Sequence, residues 1–260
     1  MNFPDVTNTI IKFIRLNVKM SHSNGIVLGL SGGLDSSVAA TLAVKALGSE
    51  SVLSLIIPDY GVSLKNDIRD SINLARKLNM KYKIIDITHI KSGYVKFLPK
   101  NKIAIGNLTA RMRMNIIYYY SNIYNKLVLG PSDKSEILLG YFTKYGDGGA
   151  DIFPLGDLYK TQVRNLGSYL QLSPQILSKK SSPRLWKGQT AEGEIGMTYD
   201  LIDLILKDLI KNETLGTKIS NKFFEARTYK KKDFVKIKKL VEKNKHKRNP
   251  PTICKISSFD

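Results

Sequence analysis

Gly25-Ile26-Val27-Leu28-Gly29-Leu30 runs directly into Ser31-Gly32-Gly33-Leu34-Asp35-Ser36-Ser37. A short apolar run, a glycine-rich turn and then a helical stretch over residues 35–47 form the head of a βα unit. Backbone N–H groups at such a turn and helix N-terminus have no partners within the helix, so the junction suits an anion. Gly32 and Gly33 let a ligand approach the backbone, and Ser31, Ser36 and Ser37 add hydroxyl donors. The Gly-Lys-Ser/Thr of a Walker A loop is missing at the required spacing. A carboxylate in a phosphate-facing turn makes sense when a cation accompanies the phosphates, which marks Asp35 as a Mg²⁺ ligand.

Outward from this unit, strand and helix signals alternate. Apolar runs at residues 25–30, 52–57, 82–87 and 126–129 predict strands, and helical patterns fill residues 35–47, 64–79 and 107–124. Repeated βα units predict an α/β fold, a parallel sheet flanked by helices on both faces, with ligands at the carboxyl ends of its strands. Residues 3–20 read as an amphipathic helix, and further helices are expected at 158–170, 201–210 and 231–245. Residues 129–154 read as Gly-rich and polar. Residues 89–106 and 178–198 read as long loops, a length common in lids and binding segments.

The 260 residues fit one large domain, or one domain with an appendage. No apolar run is long enough to span a membrane, and no basic-then-apolar signal pattern opens the chain. The single Cys254 excludes an intramolecular disulfide, a Cys-x-x-Cys redox pair and a Cys-based zinc site. A cytoplasmic protein fits these features. The formal charge is +19, concentrated between Lys207 and Arg248, where 15 Lys/Arg face 5 Asp/Glu. Helical spacing beside Leu, Ile, Phe and Val accounts for these lysines as a solvated helix face, so the charge alone does not imply nucleic acid.

A second polar segment follows the last strand: Gly130-Pro131-Ser132-Asp133-Lys134-Ser135-Glu136, continuing through Lys144 to Asp151. Glu136 can join Asp35 around a hard cation, the usual pattern of one or two carboxylates plus phosphate oxygens. Lys144 and Asp151 offer one positive and one negative group to a polar ligand.

The Ser-Gly-Gly-x-Asp-Ser loop resembles that of the N-type ATP pyrophosphatases, which split ATP into AMP and pyrophosphate. Gly106-Asn107-Leu108-Thr109-Ala110-Arg111-Met112-Arg113-Met114, the Tyr141–Asp151 run, Gly156-Asp157-Leu158-Tyr159-Lys160-Thr161, Leu185-Trp186-Lys187-Gly188-Gln189-Thr190 and His246-Lys247-Arg248 together resemble the NAD synthetases. The resemblance extends in order from Phe3 to Pro251. It implies ATP-dependent adenylation of deamido-NAD⁺ and attack by ammonia on the acyl-adenylate, giving NAD⁺, AMP and pyrophosphate.

Carried onto this chain, the resemblance implies an ATP site at Gly29, Leu30, Ser31, Gly32, Gly33, Leu34, Asp35 and Ser36, with Lys160 and Ser182. Asp35 and Lys160 carry the catalytic roles, and Asp35 and Glu136 are the Mg²⁺ ligands. Deamido-NAD⁺ contacts fall on Arg111, Lys144, Asp151, His246 and Lys247. The chain departs from the family's usual Gly-Thr-Gly-Asn-Lys-Ser-Glu at Pro131 and Asp133, and from a usual Pro-Pro at Lys180-Ser181. The synthetase motifs begin within the first thirty residues, so a single synthetase domain over 1–260 is expected, without a glutaminase domain and with free ammonia as donor. Leu108, Met112, Ile116, Tyr119 or Tyr120, and Ile123 give helix 107–124 an apolar face, and the resemblance implies that it pairs with its twin in a homodimer. A pyrophosphatase-loop tRNA-modifying enzyme is the alternative, and salt-sensitive tRNA affinity would mark it.

Overall fold

The computed structural model describes residues 1–215, 221–254 and 256. Its elements alternate as expected: α1 (Phe3–Met20), β1 (Ile26–Gly29), α2 (Leu34–Leu47), β2 (Val52–Ile56), α3 (Lys65–Lys77), β3 (Lys81–Ile84), α4 (Thr88–Val95), α5 (Lys102–Tyr124) and β4 (Leu127–Val128). A helical C-terminal half follows: α6 (Lys134–Leu139), α7 (Lys160–Tyr169), α8 (Pro174–Leu177), α9 (Ala191–Ile195), α10 (Tyr199–Leu215), α11 (Asn221–Glu225), α12 (Lys231–Lys243) and α13 (Lys245–Arg248).

The four strands are parallel in the order β3-β2-β1-β4. Successive units run outward from β1 to β3, and the chain then crosses back to place β4 on the other side of β1. The crevice at that reversal, beyond the carboxyl ends of β1 and β4, is where such sheets bind ligands. A further parallel bridge, Leu129 to Ile152, extends the β4 edge.

Alternation along the strands divides the core. Ile26, Leu28 and Leu30 face α1, α2 and α3, whereas Val27, Leu53, Leu55 and Val128 pack with Ile116 and Ile117 of α5. Both faces are covered, which explains why β1 and β2 read as continuous apolar runs. The edge strand β3 keeps Lys81 and Lys83 toward solvent, a pattern that discourages edge pairing. A separate apolar cluster joins Leu139 of α6 to Tyr199, Ile202 and Leu206 of α10 and to Phe234 and Ile237 of α12. Phe234, Ile237 and Val241 are the buried stripe of α12, and its lysines lie on the opposite, solvated face.

Several expectations are corrected. Residues 89–106 are not a loop: they hold most of α4 and the first turn of α5. Asn101 caps α5, its side chain accepting the Ala104 N–H. Gly93 and the β-branched Thr88 and Ile90 weaken the helical signal there. The Gly-rich stretch 129–154 contains α6, and loop 178–198 contains α9. The helix expected over 231–245 is two helices, α12 and α13, meeting at Asn244.

Candidate active site

The turn after β1 is built from its own side chains. Ser36 Oγ accepts the Ser31 N–H at 3.2 Å, and the two serine hydroxyls lie 3.0 Å apart. Ser37 Oγ donates to Gly33 O at 2.7 Å. Gly32 has φ +73°, and a Cβ there would lie 2.2 Å from the Asp67 carbonyl oxygen of α3, so only glycine fits. These contacts fix the loop, and the first residues of α2, whose N–H groups have no partner within the helix, line the crevice. Gly29, Leu30, Ser31, Gly33, Leu34, Asp35 and Ser36 all line one cavity at the sheet's carboxyl end. Gly32 lies behind them, against α3.

Lys160, the first residue of α7, closes the cavity. Its Nζ donates to Asp35 Oδ2 at 2.8 Å and to Glu136 Oε1 at 2.7 Å, and it lies 2.9 Å from Asp133 Oδ2. The ammonium also sits 5.2 Å from the centre of the Tyr199 ring. Burial works against its charge, but the three carboxylates outweigh burial and hold its pKa well above the ordinary lysine value. Burial pushes Glu136 up to about 8 and Asp133 up to about 6, in both cases against the pull of Lys160. Tyr199 is likewise raised, by burial first and then by Glu136.

This donor set fits a hard cation. Asp35 Oδ1, Asp133 Oδ2 and Tyr199 Oη are buried without a hydrogen bond, and all three belong to side chains around Lys160. Among the described residues no three acidic, histidine or cysteine side chains converge to hold a metal unaided. Asp35 and Glu136 would therefore supply only part of a coordination shell, with the rest from water and phosphate, as Mg²⁺ prefers.

The segment after α8 lies over the loop that follows β1. Lys179 Nζ donates to Gly32 O at 2.7 Å and pairs with Asp67 at 2.8 Å and Asp70 at 2.7 Å, while Arg184 pairs with Asp67 at 3.2 Å. Ser182 lines the cavity, but its hydroxyl donates to Gln189 O at 2.6 Å. Trp186 packs on Gly106 of α5, and Lys102 Nζ stands 4.7 Å from the centre of its ring.

The other expected residues gather elsewhere. Arg111 Nε donates to Lys144 O at 3.3 Å, and Lys144 Nζ donates to His246 O at 2.8 Å. Lys247 Nζ donates to the Gly140 and Phe142 carbonyls, at 2.8 and 3.0 Å. These contacts bring α5, the loop after α6 and α13 together. Asp151 stands apart from that group: its oxygens accept Tyr118 Oη at 3.1 Å and the Val128 N–H at 2.7 Å.

Two residues escaped the sequence reading. Asp203 of α10 is buried and accepts both the Ser135 hydroxyl and the Thr161 N–H, while Ser135 Oγ accepts the Lys160 N–H at 3.0 Å. This chain fixes the start of α7 and hence Lys160. Arg113 lines the cavity and donates Nε to Ile57 O at 3.1 Å, with Asp59 and Asp147 as nearby counter-charges. Asp133, one of the departures from the family's usual motif, is wholly buried. It caps α6, its Oδ1 accepting the Glu136 N–H at 2.8 Å. Asp133 to Glu136 has capping-box spacing, a signal that marks α6.

An open Gly-rich turn at the reversal point of a parallel sheet, beside a buried carboxylate–lysine cluster, defines an α/β protein whose candidate site suits an anion. A family model described as NAD synthase matches residues 6–251. The NH3-dependent NAD⁺ synthetase of Archaeoglobus fulgidus is 45% identical over 257 residues, covering 98% of this chain and 98% of that one. The solved NH3-dependent NAD synthetase of Campylobacter jejuni has a TM-score of 0.82 at 35% identity, covering 98% of this chain and 100% of that one. The NMN synthetase of Francisella tularensis also has a TM-score of 0.82, at 33% identity, covering 98% of this chain and 99% of that one. The chain belongs to the NAD synthase family. The tRNA-modifying alternative is not favoured by these relatives, all named synthetases.

Proposed function

We propose that the chain is a carbon–nitrogen ligase that adenylates the nicotinate carboxylate of deamido-NAD⁺ with ATP and passes the acyl group to ammonia, giving NAD⁺, AMP and pyrophosphate. The observation that carries this reading is Lys160, buried between Asp35 and Glu136 beside an open phosphate loop. Family membership supports the same reaction, as does the name of the Archaeoglobus relative.

A carboxylate is a poor electrophile, and adenylation gives it a leaving group. The loop amides and serine hydroxyls hold the polyphosphate, while Lys160 meets the charge that develops as pyrophosphate departs. Asp35 and Glu136 would hold Mg²⁺, which supplies charge neutralisation on the phosphate oxygens. The segment carrying Lys179, Ser182 and Arg184 covers the loop and limits access of water to the activated acyl group. Arg111, Lys144, His246 and Lys247 form the proposed deamido-NAD⁺ surface, with Asp151 nearby in sequence. No protein nucleophile is needed, in keeping with an exposed lone Cys254.

A homodimer through α5 belongs to the same reading. Met112 is buried within the chain, whereas Tyr119 is 63% and Ile123 53% exposed on the same stripe. A pair of α5 helices would cover those side chains. A single synthetase domain in the cytoplasm, using free ammonia, completes the proposal. No helix among the described residues is long and apolar enough to cross a membrane.

The test is an assay with ATP, Mg²⁺, ammonium and deamido-NAD⁺, following NAD⁺ and pyrophosphate together, beside an Asp35→Ala control. Equal yields of both products, lost in Asp35→Ala, are expected. Parallel reactions with nicotinate mononucleotide separate this substrate from the one implied by the name of the Francisella relative. Pyrophosphate without NAD⁺ would point to a different nitrogen donor, and neither product from either substrate would sink the synthetase reading.

A further inference from the structure

We propose that Asp133 is the resident counter-ion of Lys160, a positioning residue that keeps the lysine in the site when a divalent cation takes over Asp35 and Glu136. The inference rests on the metal reading of those two carboxylates given under Proposed function.

Lys160 meets three carboxylates of unequal standing. The side chains of Asp35 and Glu136 are 19% and 17% exposed and line the cavity, whereas that of Asp133 is 0% exposed and lies beneath them. A cation arriving with polyphosphate reaches the first two and not the third. An ammonium has three N–H donors. Two are spent on Asp35 and Glu136, and the third carboxylate in reach is Asp133, whose Oδ2 pairs with Nζ at 2.9 Å. Asp133 Oδ2 is therefore a buried oxygen for which Lys160 is the partner.

Once metal draws Asp35 and Glu136 away, Asp133 is the one of the three carboxylates left to balance the charge of a lysine that is 1% exposed. The ion pair already in place at 2.9 Å avoids the penalty of an unpaired buried charge. Asp133 can keep that pair because its own position is fixed from the other side, where Oδ1 caps α6 at the Glu136 N–H. Charge counting agrees. In the metal-bound state, with Glu136 deprotonated, three ionised carboxylates and one ammonium leave two negative charges, which one divalent cation neutralises. An amide at position 133 would leave one negative charge and would leave Lys160 bound to the metal's own ligands. Both effects weaken metal binding.

The experiment is a titration of the full chain with Mn²⁺, read by electron paramagnetic resonance, comparing wild type, Asp35→Asn and Asp133→Asn. Asn at position 133 retains the helix cap, so thermal melting should change little. The expected result is a Mn²⁺ dissociation constant raised by about tenfold or more in Asp133→Asn, the scale on which one charge acts on a neighbour a few ångströms away. In turnover assays the half-saturating Mg²⁺ concentration should rise while KM for deamido-NAD⁺ stays unchanged, a split that a general loss of structure would not produce. Asp133→Ser, also a capping residue, serves if the Asn variant does not fold. Wild-type Mn²⁺ affinity in the folded 133 variants would overturn the role of Asp133 alone. Failure of the wild type to take up Mn²⁺ would overturn the metal reading and this proposal with it.

Discussion

Lys160 is the first residue of α7 and Asp35 the second of α2, and their side chains meet at 2.8 Å across 125 residues of sequence. The contact brings the C-terminal helical half and the phosphate loop to one point, with Glu136 of α6 as the third corner at 2.7 Å. Removing Lys160 leaves carboxylates packed together without a counter-charge. Lys160→Met is expected to cost about 3–5 kcal/mol of stability, the scale for breaking a buried ion pair. It should also lower kcat by roughly 10²–10³, as expected for loss of one charge-stabilising donor. Denaturant unfolding and turnover at saturating ATP measure the two effects separately. Wild-type kcat in a folded Lys160→Met variant would remove the lysine from the chemistry.

Asp203 controls Lys160 from behind. It accepts the Ser135 hydroxyl and the Thr161 N–H at the start of α7, where a negative charge also complements the helix dipole. Asp203→Ala leaves both donors buried without acceptors and is expected to destabilise the chain by about 1–3 kcal/mol per unmet group. Asp203→Asn retains one oxygen acceptor and should cost less. Unfolding midpoints of the two variants test the order, and equal midpoints would mean that the carboxylate does not anchor α7.

How far these features were legible in the sequence depends on how local they are. The phosphate loop was readable because its glycines, serines and Asp35 lie within eight residues and the strand before it is wholly apolar. Parallel order followed from the βα alternation. The six-residue α6 was hidden by Pro131 and Ser132, although its cap at Asp133 and Glu136 carried a usable signal. Asp203 sits in the second turn of an amphipathic helix and reads as an ordinary polar residue. Its partners are 42 and 68 positions away in the chain, and no local pattern ties them together. Lys179 and Asp67 pair only because the fold lays the segment after α8 across α3. At Asp133 the residue type was plain and its burial was not, since burial comes from α7 and α10 packing over α6.

That segment yields a third expectation. Lys179 ties it to Gly32 O, Asp67 and Asp70, all between 2.7 and 2.8 Å. Lys179→Ala removes all three contacts at once, so residues 178–190 should open more often in the ligand-free chain. Limited proteolysis within that stretch should speed up roughly tenfold, the change produced by about 1.4 kcal/mol of local stability. Global unfolding should shift far less. Unchanged cleavage would mean that packing around Trp186 and Gln189, rather than the ion pairs, holds the segment.

Glu136 gives a pH dependence whose sign can be worked out. Burial raises its pKa from an ordinary 4.5 to about 8 in the metal-free fold, despite Lys160. Between those values the folded chain holds a proton that the unfolded chain has released. The stabilising contribution is thus fully present below about pH 4.5 and is lost as pH rises through 8. Glu136→Gln is neutral throughout and lacks this slope. In chelator-treated protein, the unfolding free energy of the wild type should fall between pH 5 and pH 8 more steeply than that of Glu136→Gln, by about 1 kcal/mol or more. Urea titrations at the two pH values for both chains give the comparison directly. Equal slopes in the two chains would show that Lys160 keeps Glu136 ionised in the metal-free fold.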